Sequence, residues 1–179
     1  LYAQWKDTTI RGECGSNLKW SLNEDTGVLH ISGSGEMSDY HPADGLESPW
    51  HDYAASIKSV ISGSGVKTVG NYAFAGLKNL SSIEINAELK RLGDGAFYGC
   101  TALSDIEGIE GVRIIGNDCF RGCSALSTIG IPSGCTSVGS YAFAGTAIKS
   151  ISVPKSVSNI GEGAFSGCKK LSYAELPSG

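Results

Sequence analysis

Val66-Lys-Thr-Val69-Gly70-Asn-Tyr-Ala73-Phe74 is the stretch that decides the fold, because the chain writes its pattern four more times, at Leu89–Phe97, Val112–Phe120, Cys135–Phe143 and Val157–Phe165. Each copy keeps an apolar start, a Gly, two variable residues, a small residue and a closing Phe. Successive Phe residues are 23, 23, 23 and 22 apart (97−74, 120−97, 143−120, 165−143). A pattern returning at a fixed period of about 20–50 residues is the signature of a solenoid, in which one unit cannot bury its apolar face and stacked units can.

Between the copies lie Leu80–Ile85, Leu103–Gly108, Leu126–Ile131, Ile148–Val153 and Leu171–Leu176, where apolar and polar residues alternate with period two. That period predicts one short strand per coil. A turn often marked by Pro (Pro132, Pro154, Pro177) follows it, then a second apolar segment and the Gly-x-x-Ala-Phe corner. The 22-residue interval reflects one residue fewer between Phe143 and Ile148, in a loop. Stacked strands should pair into a parallel sheet along one side. The corner Gly turns the chain where a Cβ has little room, and the Phe column should stack ring on ring through the core.

Ahead of the repeats, Leu18–Leu22 and Val28–Ser32 alternate around the turn-rich Asn23–Gly27, which predicts a β-hairpin. Gly33-Ser-Gly35 is expected to end that strand. Ser48 as N-cap and Pro49 in the first turn predict a short helix through Ala55, with Trp50, Tyr53 and Ala54 available to pack. Residues 12–56 thus read as a β-rich cap over an otherwise open solenoid end. Residues 57–179 read as the solenoid of about five 22–23-residue repeats, with Ile57–Ser62 a partial first unit. Residues 1–11 read as a linker or the tail of a preceding module.

A net charge of −4 on 179 residues argues against nucleic acid, whose binders carry a basic stripe. No Lys/Arg run suits anionic lipid, and no apolar stretch nears the ~20 residues of a membrane span. Leu1–Lys6 lacks the apolar core of a signal peptide, so an export signal or anchor is expected outside this segment. Ten of the 25 glycines fall in two repeat columns, so they punctuate structure and do not mark disorder.

Six cysteines invite a metal or disulfide reading, which the columns oppose. Cys100, Cys123 and Cys168 align with Leu77 and Thr146; Cys119 aligns with Ala73, Ala96, Ala142 and Ala164; Cys135 aligns with Val66, Leu89, Val112 and Val157. Positions filled elsewhere by small or apolar residues are core positions, where free Cys packs as a small hydrophobe. Cys100 and Cys123 stack one coil apart, about 4.8 Å, which a disulfide could bridge; Cys14 has no column and stays open. His30, His41 and His51 lie near Asp39, Asp44, Glu47 and Asp52, but without a metal-ligand spacing, and a polar surface loop accounts for them. Neither Ser-His-Asp chemistry nor a phosphate loop can be built, and Gly33-Ser-Gly35 and Gly63-Ser-Gly65 read as turns. No catalytic, cofactor or metal residue is assigned.

The remaining candidate is surface. Residues between the apolar ones of each strand project outward and form aligned columns, and from these the candidate binding face is Ser82, Glu84, Asp105, Glu107, Thr128, Ser150, Ser152, Tyr173 and Glu175. The face is mildly acidic and Ser/Thr-rich, with Tyr173 its one aromatic residue. A solvated face without a ligand is the competing reading, since hot spots are enriched in Trp, Tyr and Arg.

From Ile115 to Pro132 the pattern Ile-Gly-x-x-Cys-Phe-x-Gly-Cys-x-x-Leu-x-x-Ile-x-Ile-Pro resembles the BspA-type leucine-rich repeat of bacterial and protist surface proteins. Cys14–Leu22 with Gly27–Met37 resembles the N-terminal module that often precedes such repeats. Leu1–Trp5 resembles the closing strand of the Listeria–Bacteroides repeat of modular bacterial surface proteins. The resemblance implies an α/β-type, β-dominated leucine-rich repeat solenoid with short parallel strands and short helical or irregular segments. It further implies a monomeric, non-enzymatic module of a secreted or surface-anchored protein, supporting adhesion or binding of a host extracellular or matrix protein, with no cofactor. The alternative is a carbohydrate- or cell-wall-binding module, or a spacer within a larger surface enzyme.

Overall fold

A computed structural model describes residues 9–85 and 88–176; the readings placed on Leu1–Trp5 and Pro177 lie outside the described residues. The strands are β1 (Thr9–Gly15), β2 (Leu18–Asn23), β3 (Val28–Glu36), β4 (Ser59–Ser62), β5 (Gly65–Val69), β6 (Ser82–Glu84) and β7 (Arg91–Leu92). They continue as β8 (Asp105–Glu107), β9 (Ile114–Ile115), β10 (Ser137–Val138), β11 (Ser150–Ser152), β12 (Asn159–Ile160) and β13 (Tyr173–Glu175). β1, β2 and β3 pair antiparallel, and every later pairing is parallel. The expected hairpin is therefore present, with Thr9–Arg11 adding the start of a third strand to it.

The predicted parallel sheet exists, but the second apolar segment of each coil also forms one. One ladder runs β3-β4-β6-β8 and the other β3-β5-β7-β9-β10-β12. β3 belongs to both, and it does not end at Gly33-Ser-Gly35 as expected. Val28–Ile31 pair with β4 and Ser34–Glu36 with β5, and Gly33 between the two segments and Gly35 within the second take φ of 101° and 135°. Those angles, open to glycine, bend the strand from one ladder into the other without ending it. β3 thereby serves as the coil before the first repeat.

Two further expectations are corrected. Leu126–Ile131 forms no strand, so the first ladder stops at β8 and resumes as the separate pair β11-β13. The gap coincides with Gly108, at φ 82° and where a Cβ would collide with the Ile85 carbonyl, and with the shortened Phe143–Ile148 loop. Gly108 occupies the inward position of Ile85, and Ile109 enters the core one residue later, which breaks the alternation a ladder needs. The helix starting at Ser48 is instead a single 3-10 turn over His51–Tyr53, entered from Trp50 without a side-chain cap. Its tight successive bonds, Tyr53 N–H to Trp50 O at 3.0 Å and Ser56 N–H to Tyr53 O at 2.9 Å, place Trp50 and Tyr53 on the core.

The core is columnar. Phe74, Phe97, Phe120, Phe143 and Phe165 stack with centroids 5.3–5.5 Å apart and planes within 13° of parallel. Trp50 extends the stack, 5.2 Å from Phe74, and donates from Nε1 to the Ala73 carbonyl at 2.8 Å. It stands where a further repeat would place its Phe. The corner glycines are needed for space: a Cβ on Gly93, Gly116, Gly139 or Gly161 would lie within 3.0 Å of the backbone nitrogen of Asn71, Asp94, Asn117 or Ser140 in the preceding coil. Two residues on, the chain turns left-handed in every coil, at Tyr72, Gly95, Asp118, Tyr141 and Gly163.

Candidate functional site

The nine residues of the predicted strand face are on the surface. Glu84, Asp105, Glu107, Thr128, Ser150, Ser152, Tyr173 and Glu175 are exposed and Ser82 is half-buried. They do not form one sheet surface, because Thr128 sits in the gap. Ser82 pairs with Asp105 and Glu84 with Glu107 across β6 and β8, while Ser150 pairs with Tyr173 and Ser152 with Glu175 across β11 and β13. Glu84 beside Glu107 sets like charges opposite each other, which costs stability. Ser152 Oγ donates to Glu175 Oε2 at 2.9 Å.

The thiols pack as the columns predict. Cys100, Cys119, Cys123 and Cys135 are fully buried, and Cys168 is half-buried beside the core. Cys14, left open by the sequence, is buried in β1. All six are free. Burial pushes the Cys100 and Cys119 thiols up, and those of Cys123 and Cys14 to about 12, so none of these four is poised as a nucleophile. Instead Cys100, Cys123 and Cys168 donate to the Phe74, Phe97 and Phe143 carbonyls of the preceding coil at 3.0–3.1 Å. Among the described residues, no group of three or more His, Cys, Asp or Glu side chains could hold a metal ion.

Aromatic and cationic side chains gather where the sequence reading did not look, on the corner side of the solenoid. Arg121 pairs with Asp118 at 3.0 Å, and its guanidinium carbon lies 5.3 Å from the Tyr141 ring centre and 6.0 Å from that of Tyr98. The hydrogen bond and charge of Asp118 hold the Arg121 pKa above its ordinary value. The phenol of Tyr72 is pushed up by burial and then by the charges of Asp118 and Asp94. Tyr72 and Tyr141 are held in place by the next coil, which carries Gly95 and Gly163 where a Cβ would collide with each ring.

Between this stripe and the loop that follows β3 lies a groove of about 480 Å³. It is lined by His41, Asp44, Glu47 and His51 from the segment after β3 and by Tyr72, Ala75, Gly76 and Tyr98 from the coils. The loop is preorganised: His41 N–H donates to Leu46 O at 2.9 Å, Leu46 N–H donates back at 3.2 Å, and Gly45 closes the turn at φ 75°. His41 reaches over Tyr72 at 6.4 Å, and His51 Nδ1 lies 3.3 Å from Glu47 Oε2. The signal for this stripe was present in the residue after each Phe, which reads Ala75, Tyr98, Arg121, Ala144, Ser166 and is the variable position of an otherwise fixed turn.

Comparison with known proteins agrees with this architecture. The family of BspA type leucine-rich repeat regions matches residues 50–172, in six copies. A solved leucine-rich repeat protein from Eubacterium ventriosum is similar at 31% identity and TM-score 0.85, over 95% of this chain and 44% of that one. A leucine-rich repeat protein from Bacteroides ovatus is similar at 25% identity and TM-score 0.67, over 98% of this chain and 42% of that one. A leucine rich cell surface protein from Faecalibacterium prausnitzii shares the fold at 23% identity and TM-score 0.62, over 94% of this chain and 55% of that one. The chain thus spans about half the length of these relatives or less. No curated protein matches it.

Proposed function

The chain belongs to the BspA type leucine-rich repeat family, and on that premise we propose that it is a non-enzymatic binding module of a secreted or cell-surface bacterial protein, offering its repeat surface to a host extracellular or matrix protein. The observation that carries the reading is the corner stripe. Tyr98 is 43% exposed on a surface shared with Arg121, Tyr72 and Tyr141, and Tyr and Arg are the residue types enriched at interface hot spots. The stacked coils hold these side chains on rigid backbone, so little order is lost on binding. The strand face, with Glu84, Asp105, Glu107 and Tyr173, is the secondary contact surface. A surface location is supported by the family and by the shared fold with a leucine rich cell surface protein. Among the described residues no helix is long and apolar enough to cross a membrane.

A solid-phase assay against purified extracellular-matrix proteins, run beside a glycan array, tests the reading. Wild type should bind at least one matrix protein, and Tyr98→Ala and Arg121→Ala should each weaken that binding by about tenfold or more. Glu84→Ala and Glu107→Ala should change it less. A blank matrix panel beside a positive glycan array would transfer the module to carbohydrate or cell-wall binding. Hydrolase turnover by the chain alone would overturn both.

A further inference from the structure

Arg121 supplies an internal template for what the adjacent groove holds. Its cation sits between Tyr98 of the preceding coil and Tyr141 of the following one, balanced by Asp118. Tyr98 lines both that depression and the groove toward the loop after β3. In the groove the column position of Arg121 is occupied by Ala75, which leaves the space above it open. The aromatic walls are there, as Tyr72, Tyr98 and the tilted His41 ring, and so are carboxylates, Asp44 and Glu47. Among the described residues no Lys or Arg lines it. The charges of Asp94 and Asp118 also reach Tyr72. The groove thus sets aromatic faces beside carboxylates as the Arg121 site does, although Tyr72 stands in the column of Asp118 and Gly95 in that of Tyr141.

From this charge complementarity we infer that the groove over Ala75-Gly76 seats an arginine or lysine side chain of a partner protein, with its cation against Tyr72 and Tyr98 and balanced by Asp44 and Glu47. Aromatic faces attract cations, Arg above all, and carboxylates at the rim add a charge-assisted hydrogen bond. The Gly76 N–H donates to the Tyr98 carbonyl at 2.7 Å and the Ala75 N–H to the Tyr72 carbonyl at 3.2 Å, so neither amide is left to donate to a partner's backbone, and the anchor is a side chain. Glu47 is also within reach of His51, and a bound cation would share that carboxylate. The inference rests on the protein-binding reading and specifies its partner's chemistry.

A chemical-shift titration of the ¹⁵N-labelled chain tests it, with acetyl-Gly-Gly-Arg-Gly-Gly-amide as probe and the same peptide carrying citrulline, the uncharged isostere, as control. The arginine peptide should shift the amides of Tyr72, Ala75, Gly76 and Tyr98 and bind about fivefold more tightly than the citrulline peptide. Tyr98→Ala and Ala75→Arg should each weaken it by about fivefold or more. Both variants should fold, because Ala75 and Ala144 show that the column accepts Ala, and Arg121 shows that it accepts Arg. The inference fails if citrulline binds as well as arginine or if millimolar peptide moves none of these amides. It fails equally if the shifts fall on Glu84, Asp105 and Glu107 and survive Ala75→Arg, or if a neutral oligosaccharide shifts the groove amides and the arginine peptide does not. Arginine binding in the groove beside a blank matrix panel supports it and removes only the matrix-protein reading. Matrix-protein binding that survives Ala75→Arg, with no response to the arginine peptide, removes this inference alone.

Discussion

At the scale of single residues, the coils are tied together by side chains that complete the backbone of their neighbours. Asp39 Oδ1 accepts from Asn71 N–H at 2.7 Å, Asn71 Oδ1 from Asp94 N–H at 2.8 Å, Asp94 Oδ1 from Asn117 N–H at 2.9 Å, and Asn117 Oδ1 from Ser140 N–H at 2.8 Å. The position behind each corner Gly thus forms a ladder parallel to the Phe stack. Asn117→Ala should orphan the Ser140 N–H and cost about 0.5–1.5 kcal/mol in urea unfolding. Asp94→Asn keeps the accepting oxygen and should be closer to neutral, and equal losses for the two would exclude the ladder as their cause. The thiols make a prediction of opposite electrostatic sense. Burial raises Cys123 to about 12 and also raises Cys100 and Cys119, so the folded state keeps protons that the unfolded chain gives up near its ordinary thiol pKa of about 8.5. Their contribution to stability is complete below that pKa and is lost as pH climbs toward 12. Urea midpoints should therefore fall between about pH 8 and pH 11, less steeply in Cys123→Ala than in wild type.

At the scale of the element, each coil's worth depends on having a neighbour on both sides. Phe120 is fully buried with rings 5.3 and 5.5 Å away, so Phe120→Ala should cost about 3–5 kcal/mol in a thermal or urea melt. Among the described residues Phe165 stacks only on Phe143, and it is half-buried, so Phe165→Ala should cost about 1–2 kcal/mol. Similar losses at both positions would contradict columnar packing. Columns of this kind were legible in the sequence because aligning five copies averages out local noise: Phe, the corner Gly, the buried Cys and the outward Ser/Glu positions all fall where the alignment puts them. Events that occur once were not legible. The bend of β3 at Gly33 and Gly35 resembles a strand end, since glycine serves both. Ser48-Pro49 carries a helix-start signal that tertiary demand overrides, because Trp50 must meet Phe74. The missing strand at Leu126–Ile131 follows a single off-pattern residue, Gly108, in the coil before it. The Tyr/Arg stripe escaped notice because the residues that make it come from two different turn positions, and only the left-handed turn at Tyr72 and Tyr141 brings them onto one side.

At the scale of the whole molecule, a stack that touches only its neighbours should hold its stability unevenly, and the described surface indicates where. The hairpin and β3 pair with the first coil in both ladders, and Trp50 covers the first Phe, so that end is closed. In the fifth coil Ile160 is 41% exposed and Leu176 64% exposed, and among the described residues β12 and β13 each have a pairing partner on one side only. Repeat arrays sum local coil stability and nearest-neighbour interfaces, and a coil with one interface opens more readily than a coil with two. Native-state hydrogen exchange should therefore find the slowest amides in the second and third coils, around Phe97 and Phe120, and markedly faster exchange at Asn159–Ile160 and Tyr173–Glu175. The groove lies between the loop after β3 and the second coil, on the protected side of that gradient. Its geometry should persist when the fifth coil opens, so the amides of Ala75 and Gly76 should stay protected in mild urea that already exposes the fifth coil. Simultaneous exchange of both regions would mean that the chain unfolds as one unit and that the groove has no stability of its own to offer a partner.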